Sequence, residues 1–112
     1  EKFGVDVYYD ARKAVQGADV ILTSRMKVET QNKNLVPSLT EYKHFFRVDE
    51  NLLRHAKEDT IVMHPGPIQR GIEISSDVID GKQCIINDQI ANSVAVRMAM
   101  LYILSQIGGG LR

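Results

Sequence analysis

Two short segments, Thr23-Ser24-Arg25-Met26-Lys27 and His64-Pro65-Gly66-Pro67, carry the residue types needed to hold a small zwitterion. A guanidinium grips a carboxylate through two parallel hydrogen bonds. A Pro-Gly-Pro turn has few free N–H groups, so it presents mainly carbonyl oxygens, which accept from an ammonium or an amide N–H. Arg25 beside those carbonyls describes an amino-acid site, with the carboxylate on the arginine and the amino group on the turn. Each residue also has a purely structural use. An arginine at a strand end is commonly solvated or ion-paired, and a histidine closing an apolar strand, here His64, is commonly a satisfied core residue.

Other chemistries find little support. His44, His55 and His64 lack metal-ligand spacing and no cysteine pair accompanies them, so a zinc site is not expected. Cys84 lies in an apolar run without a basic neighbour and reads as an inert thiol. Neither Ser24 nor Ser75 sits in a G-x-S-x-G elbow, and there is no G-x-G-x-x-G or Walker loop to cradle a nucleotide phosphate. Fourteen basic and 14 acidic side chains give zero net charge. This removes the electrostatic footprint of a nucleic-acid or anionic-membrane partner. No apolar run is read as long enough to span a membrane. A single cysteine suits a reducing compartment, and a cytoplasmic location is expected.

The elements that must position the two segments follow from periodicity and caps. Phe3–Tyr9 alternates imperfectly and reads as a short strand. Asp10 caps a brief helix over Ala11–Gln16, closed by Gly17. Ala18–Thr23 is a continuous apolar run, expected to be a strand buried on both faces of a parallel sheet. Arg25–Val36 is polar and aperiodic, a long loop of the kind that is often functional. Thr40 caps a helix to Phe46, and Val48-Asp49 staples and caps a helix over Glu50–Lys57. Ile61–His64 is a second buried strand, stopped by the prolines. Ser75 caps one or two turns to Ile79, Asp80-Gly81 turns the chain, and Cys84–Ile86 is a last strand. A helix from about Asn92 to Ile107 is apolar nearly all round and so needs a second partner surface. The order predicts an α/β fold, a three-layer sandwich around a short, mostly parallel sheet. At 112 residues, 44% apolar and 25% charged, the chain makes one domain over residues 1–107 with a frayed tail over 108–112. Area scaling predicts a folded surface of roughly 6,000 Å² against roughly 18,000 Å² unfolded.

The run His64-Pro65-Gly66-Pro67-Ile68-Gln69-Arg70-Gly71-Ile72-Glu73-Ile74 resembles the His-Pro-x-Pro…Glu-Ile segment of the aspartate carbamoyltransferase family. Three other stretches agree in order. Ala18–Arg25 resembles the strand leading to that family's aspartate-binding arginine. Glu29 and the residues after it resemble its mobile loop, and Asn92–Ala99 the start of its last helix. The resemblance implies a partial Rossmann-like aspartate domain in a chain that makes N-carbamoyl-L-aspartate from L-aspartate and carbamoyl phosphate, in pyrimidine biosynthesis. It implies that Arg25 binds the aspartate carboxylate, that the Pro65 and Gly66 carbonyls receive the amino group, and that Gly66 and Pro67 contact carbamoyl phosphate. It further implies a homotrimer, and a last helix that crosses back to an amino-terminal carbamoyl-phosphate domain. That domain, with its phosphate loop, has no counterpart in these residues, and the chain opens without methionine. It is therefore expected to be a C-terminal portion without turnover of its own.

Some positions depart from the family pattern. Lys27 stands for a glutamine that contacts aspartate, Thr30 for an arginine that holds the loop closed, and Ser93 for the usual glycine. Two alternatives follow: a non-catalytic paralogue acting as a binding module, or a transcarbamylase for a different amino acid.

Overall fold

A computed structural model describes residues 3–26 and 38–108. The first helix, α1 (Ala11–Ala14), opens where the Asp10 side chain accepts from the Arg12 N–H at 3.0 Å. Gly17, at φ +71°, turns the chain into β1 (Val20–Leu22). Next in chain order come α2 (Leu39–Phe46) and α3 (Glu50–Leu53), then β2 (Ile61–Met63), α4 (Ser76–Ile79) and the long α5 (Ile86–Gly108).

β1 and β2 pair in parallel, with Val20 opposite Ile61 and Leu22 opposite Met63. The other edge of β2 pairs with Cys84 through a single parallel bridge: the Val62 N–H donates to the Gln83 carbonyl and the Val62 carbonyl accepts from the Ile85 N–H. Val62 thus has neighbours on both edges and is wholly buried. Around it the core gathers Val15, Val48, Leu52, Ile74, Val78 and Ile86, with Ile21, Leu53, Ile68 and Ile79 against its rim. The Thr60 hydroxyl, fully buried, donates to the Ala18 carbonyl at 2.7 Å and locks the start of β2 to the turn before β1.

The α/β architecture and the parallel pairing match the sequence reading, while several details are corrected. Phe3–Tyr9 forms no strand, and its apolar side chains are exposed. Alternation supplies a face but no ladder, and no neighbouring strand pairs with it among the described residues. β1 is covered on one face only, since Val20 and Leu22 are exposed while Ile21 reaches the core rim. The cap of α2 is Ser38 rather than Thr40. Its hydroxyl accepts from the Glu41 N–H at 3.1 Å, and Ser38-x-x-Glu41 is a capping-box spacing. α3 has its Asp49 cap, bonded to the Leu52 N–H at 3.0 Å, but stops at Leu53 rather than Lys57. Val48 does not serve only as a staple. It bridges Ile74, donating to the Glu73 carbonyl and accepting from the Ser75 N–H, both at 2.9 Å. The proposed strand Cys84–Ile86 reduces to the Cys84 bridge, because Ile86 already starts α5, six residues before Asn92.

That early start matters for two expectations. Ile86–Ile107, 22 residues with a mean hydropathy of 1.4, is long and apolar enough to cross a membrane by length and composition, contrary to the sequence reading. Only Ile86 of this helix enters the core, while Val94, Met98, Leu101, Leu104 and Ile107 are all exposed. The total accessible surface is 9093 Å², about half as large again as the roughly 6,000 Å² that scaling predicts.

Candidate substrate-binding site

Parallel pairing sends both strands out of the sheet at the same edge, the carboxyl end where open α/β sheets bind ligands. The last ladder contact is the Thr23 N–H on the Met63 carbonyl at 3.0 Å, supported by the Thr23 hydroxyl on the same oxygen at 3.4 Å. Beyond it β1 runs into Ser24 and Arg25, both exposed, and β2 into His64-Pro65-Gly66-Pro67. The two segments singled out by residue type therefore leave the sheet side by side.

His64 is wholly buried. Its backbone N–H donates to the Gln89 Oε1 at 3.1 Å, which fastens the turn to the first turns of α5. Its ring Nδ1 accepts from the Gly66 N–H at 2.8 Å, so the imidazole shapes the turn from beneath. With Nδ1 accepting, the neutral ring carries its proton on Nε2, and that nitrogen is buried without a partner among the described residues. Gly66 sits at φ +78°, in the left-handed region that glycine tolerates, and the Gly66–Pro67 peptide is cis. Pro65 and Pro67 are exposed, and Gly66 is half-buried. No backbone N–H among the described residues donates to the Pro65 or Gly66 carbonyl. Lys27 lies outside the described residues.

Glu73, in sequence only one member of the Glu-Ile motif, stands at the centre of this edge in the structure. Its carboxylate, 1% exposed, accepts from the Met26 N–H at 2.8 Å through Oε1 and from the Gln69 N–H at 3.0 Å through Oε2. Tyr42 of α2 belongs to the same neighbourhood. Burial, and secondarily the Glu73 charge, push its phenol above the ordinary value. An acid that sits so close to proline and glycine in an otherwise apolar Ile72–Ile74 run was the available sequence signal for a buried, hydrogen-bonded carboxylate.

Downstream, Arg70 forms a two-pronged pair with Asp80 at 2.9 and 2.8 Å. It is thereby held to the end of α4. A separate cavity of about 580 Å³ lies between Tyr9–Arg12 and the α2–α3 region, away from the strand ends, and its arginines Arg12 and Arg47 are paired with Asp10 and Asp49.

An arginine and an acceptor-rich turn side by side can hold an amino acid by both ends. Residues 3–104, which include both segments, match the family model for the Asp/Orn-binding domain of aspartate/ornithine carbamoyltransferase. The chain belongs to this carbamoyltransferase family. It is 50% identical over 108 residues to an aspartate carbamoyltransferase catalytic subunit of Ruminiclostridium cellulolyticum, covering 96% of this chain and 34% of that one. It is 48% identical over 112 residues to the corresponding subunit of Desulfotalea psychrophila, again covering 34% of it. The chain thus spans about a third of the length of these relatives. Among solved structures, the ornithine carbamoyltransferase of Pyrococcus furiosus superposes with a TM-score of 0.71 at 35% identity, over 82% of this chain and 29% of that one. The aspartate transcarbamoylase of Trypanosoma cruzi, in complex with carbamoyl aspartate and phosphate, gives 0.66 at 30% identity, over 81% and 27%. The carbamoyltransferase fold is shared by both kinds, and the relatives near 50% identity reported above are aspartate subunits.

Proposed function

We propose that this chain supplies the aspartate half of an aspartate carbamoyltransferase active site, within a catalytic chain about three times its length. The observation that carries this is the placement of Arg25 and the Pro65–Pro67 turn at one sheet edge. The identity near 50% to aspartate catalytic subunits supports aspartate over ornithine. In this reading Arg25 takes a carboxylate of L-aspartate bidentately, and the Pro65 and Gly66 carbonyls draw the amino group into line. Gly66 and Pro67 border the carbamoyl phosphate. The amine nitrogen forms a bond to the carbamoyl carbon, the bond from that carbon to the phosphate oxygen breaks, and phosphate leaves as the amine loses a proton. Holding two substrates in attack geometry provides most of the rate enhancement in such a reaction.

Phosphate binding and stabilisation of the leaving group call for cations that the other domain provides. The same reading includes a trimeric, cytoplasmic parent enzyme, no cofactor, and no turnover by the 112-residue chain alone. The test is an assay of the complete catalytic chain with carbamoyl phosphate and either L-aspartate or L-ornithine. Formation of N-carbamoyl-L-aspartate is expected, and a preference for ornithine would overturn the reading.

A further inference from the structure

Glu73 is the only acidic side chain in the buried set among the described residues. A carboxylate taken out of water is stable only when its oxygens are hydrogen-bonded, and here both are committed, each to a backbone amide in a different segment. Oε1 holds the Met26 N–H, 47 residues away in sequence and next to Arg25. Oε2 holds the Gln69 N–H, two residues past Pro67. With its amide nitrogen turned inward, the Gln69 side chain adds contacts to Glu73 Oε1 at 3.3 Å and to the Met26 carbonyl at 3.1 Å. Arg25 lies two residues beyond the last ladder contact at Thr23, so the sheet itself does not fix its distance from the turn. The carboxylate cross-brace lies beyond that point.

We propose that Glu73 is a positioning residue that sets the span between the Arg25 guanidinium and the Pro65 and Gly66 carbonyls, and so selects by length the amino acid held between them. This rests on the substrate reading above. It predicts that loosening the brace penalises a ligand gripped at both ends more than one gripped only by its carboxylates.

The complete catalytic chain carrying Glu73→Gln tests this, since glutamine keeps the shape but offers one acceptor oxygen and aims an NH₂ at the other amide. Hydrogen exchange should show lost protection at Met26 and Gln69 with Val62 and Ile74 unchanged. L-aspartate should bind about tenfold to a hundredfold more weakly, and succinate, which lacks the amine, by under about threefold. Glu73→Asp keeps the charge but is one methylene shorter, so it should give an intermediate ratio, and it carries the test if Glu73→Gln does not fold. Equal weakening of aspartate and succinate, or unchanged exchange at both amides, overturns the proposal. If both amides lose protection but the unsubstituted chain does not bind aspartate, the brace stands and the substrate reading falls.

Discussion

Arg25 and Asp80 show how differently an ion pair and a ligand site respond to substitution. In the complete catalytic chain, Arg25→Lys keeps the charge but loses the planar fork. Charge-assisted hydrogen bonds contribute about 1.5–3 kcal/mol, so aspartate KM should rise by roughly tenfold to a hundredfold. A normal aspartate KM in this variant would remove Arg25 from the site. Asp80 behaves otherwise. Its hydrogen bonds from Arg70 hold its carboxyl below the usual carboxylate value in the folded chain. A depressed folded pKa contributes stability that is present above the unfolded pKa and lost as pH falls through the folded one. Asp80→Asn should therefore be less stable than the parent at neutral pH, by a small and salt-sensitive margin because the pair is exposed. The difference should shrink below about pH 4, and a gap that persists at pH 2 in urea titrations would contradict the assignment.

At the scale of elements, caps and cross-links keep the strand ends in register. Ser38→Ala removes the side-chain acceptor at the start of α2 and should cost about 1 kcal/mol, read in denaturant midpoints of the complete chain. Thr60→Val is the stricter case. The substitution preserves shape but leaves the Ala18 carbonyl without its buried donor, which should cost about 1–3 kcal/mol. An unchanged midpoint would mean that the turn before β1 is held by something other than Thr60. The caps Asp10 and Asp49 were legible in sequence because a capping side chain acts on residues two or three positions away. The real cap of α2 was equally legible in Ser38 and Glu41, and Thr40 only competed with it two residues too late. Strands were less legible. Phe3–Tyr9 and Cys84–Ile86 both have strand-forming residues, yet pairing depends on a neighbour that no local pattern specifies.

Over the whole molecule, the largest run of exposed apolar side chains lies on α5, from Val94 to Ile107. Exposed apolar patches larger than a few hundred Å² mark a surface that is normally covered. Membrane length alone does not make α5 a span. Arg97 stands mid-helix, where a charge at a bilayer centre costs about 2.5–3.5 kcal/mol, and Asn87, Asp88, Gln89, Asn92 and Ser93 crowd its first two turns. The family match also extends through this helix to residue 104. The isolated 112-residue chain should therefore self-associate and bind a hydrophobic dye. Leu101→Glu with Leu104→Glu should reduce both, without loss of far-UV helical signal. A clean monomer without dye binding in sedimentation would show that this face needs no cover.

Residue chemistry alone was enough to pick out Arg25 and the Pro-Gly-Pro turn, because a guanidinium and a donor-poor turn have properties that do not depend on their surroundings. Periodicity was enough to place the strands that carry them. It was also enough to show that the last helix is too apolar to stand alone. Folding settled which groups meet. Glu73 reads in the sequence as one acid among 14. It becomes the brace of the site only because parallel pairing brings Met26, 47 positions away, to the same buried carboxylate as Gln69. His64, read as either a site residue or a core residue, turns out to be buried and to shape the turn through its ring. Hydrogen bonds between distant segments depend on position in space, and a linear pattern carries that information only where the partners are close along the chain.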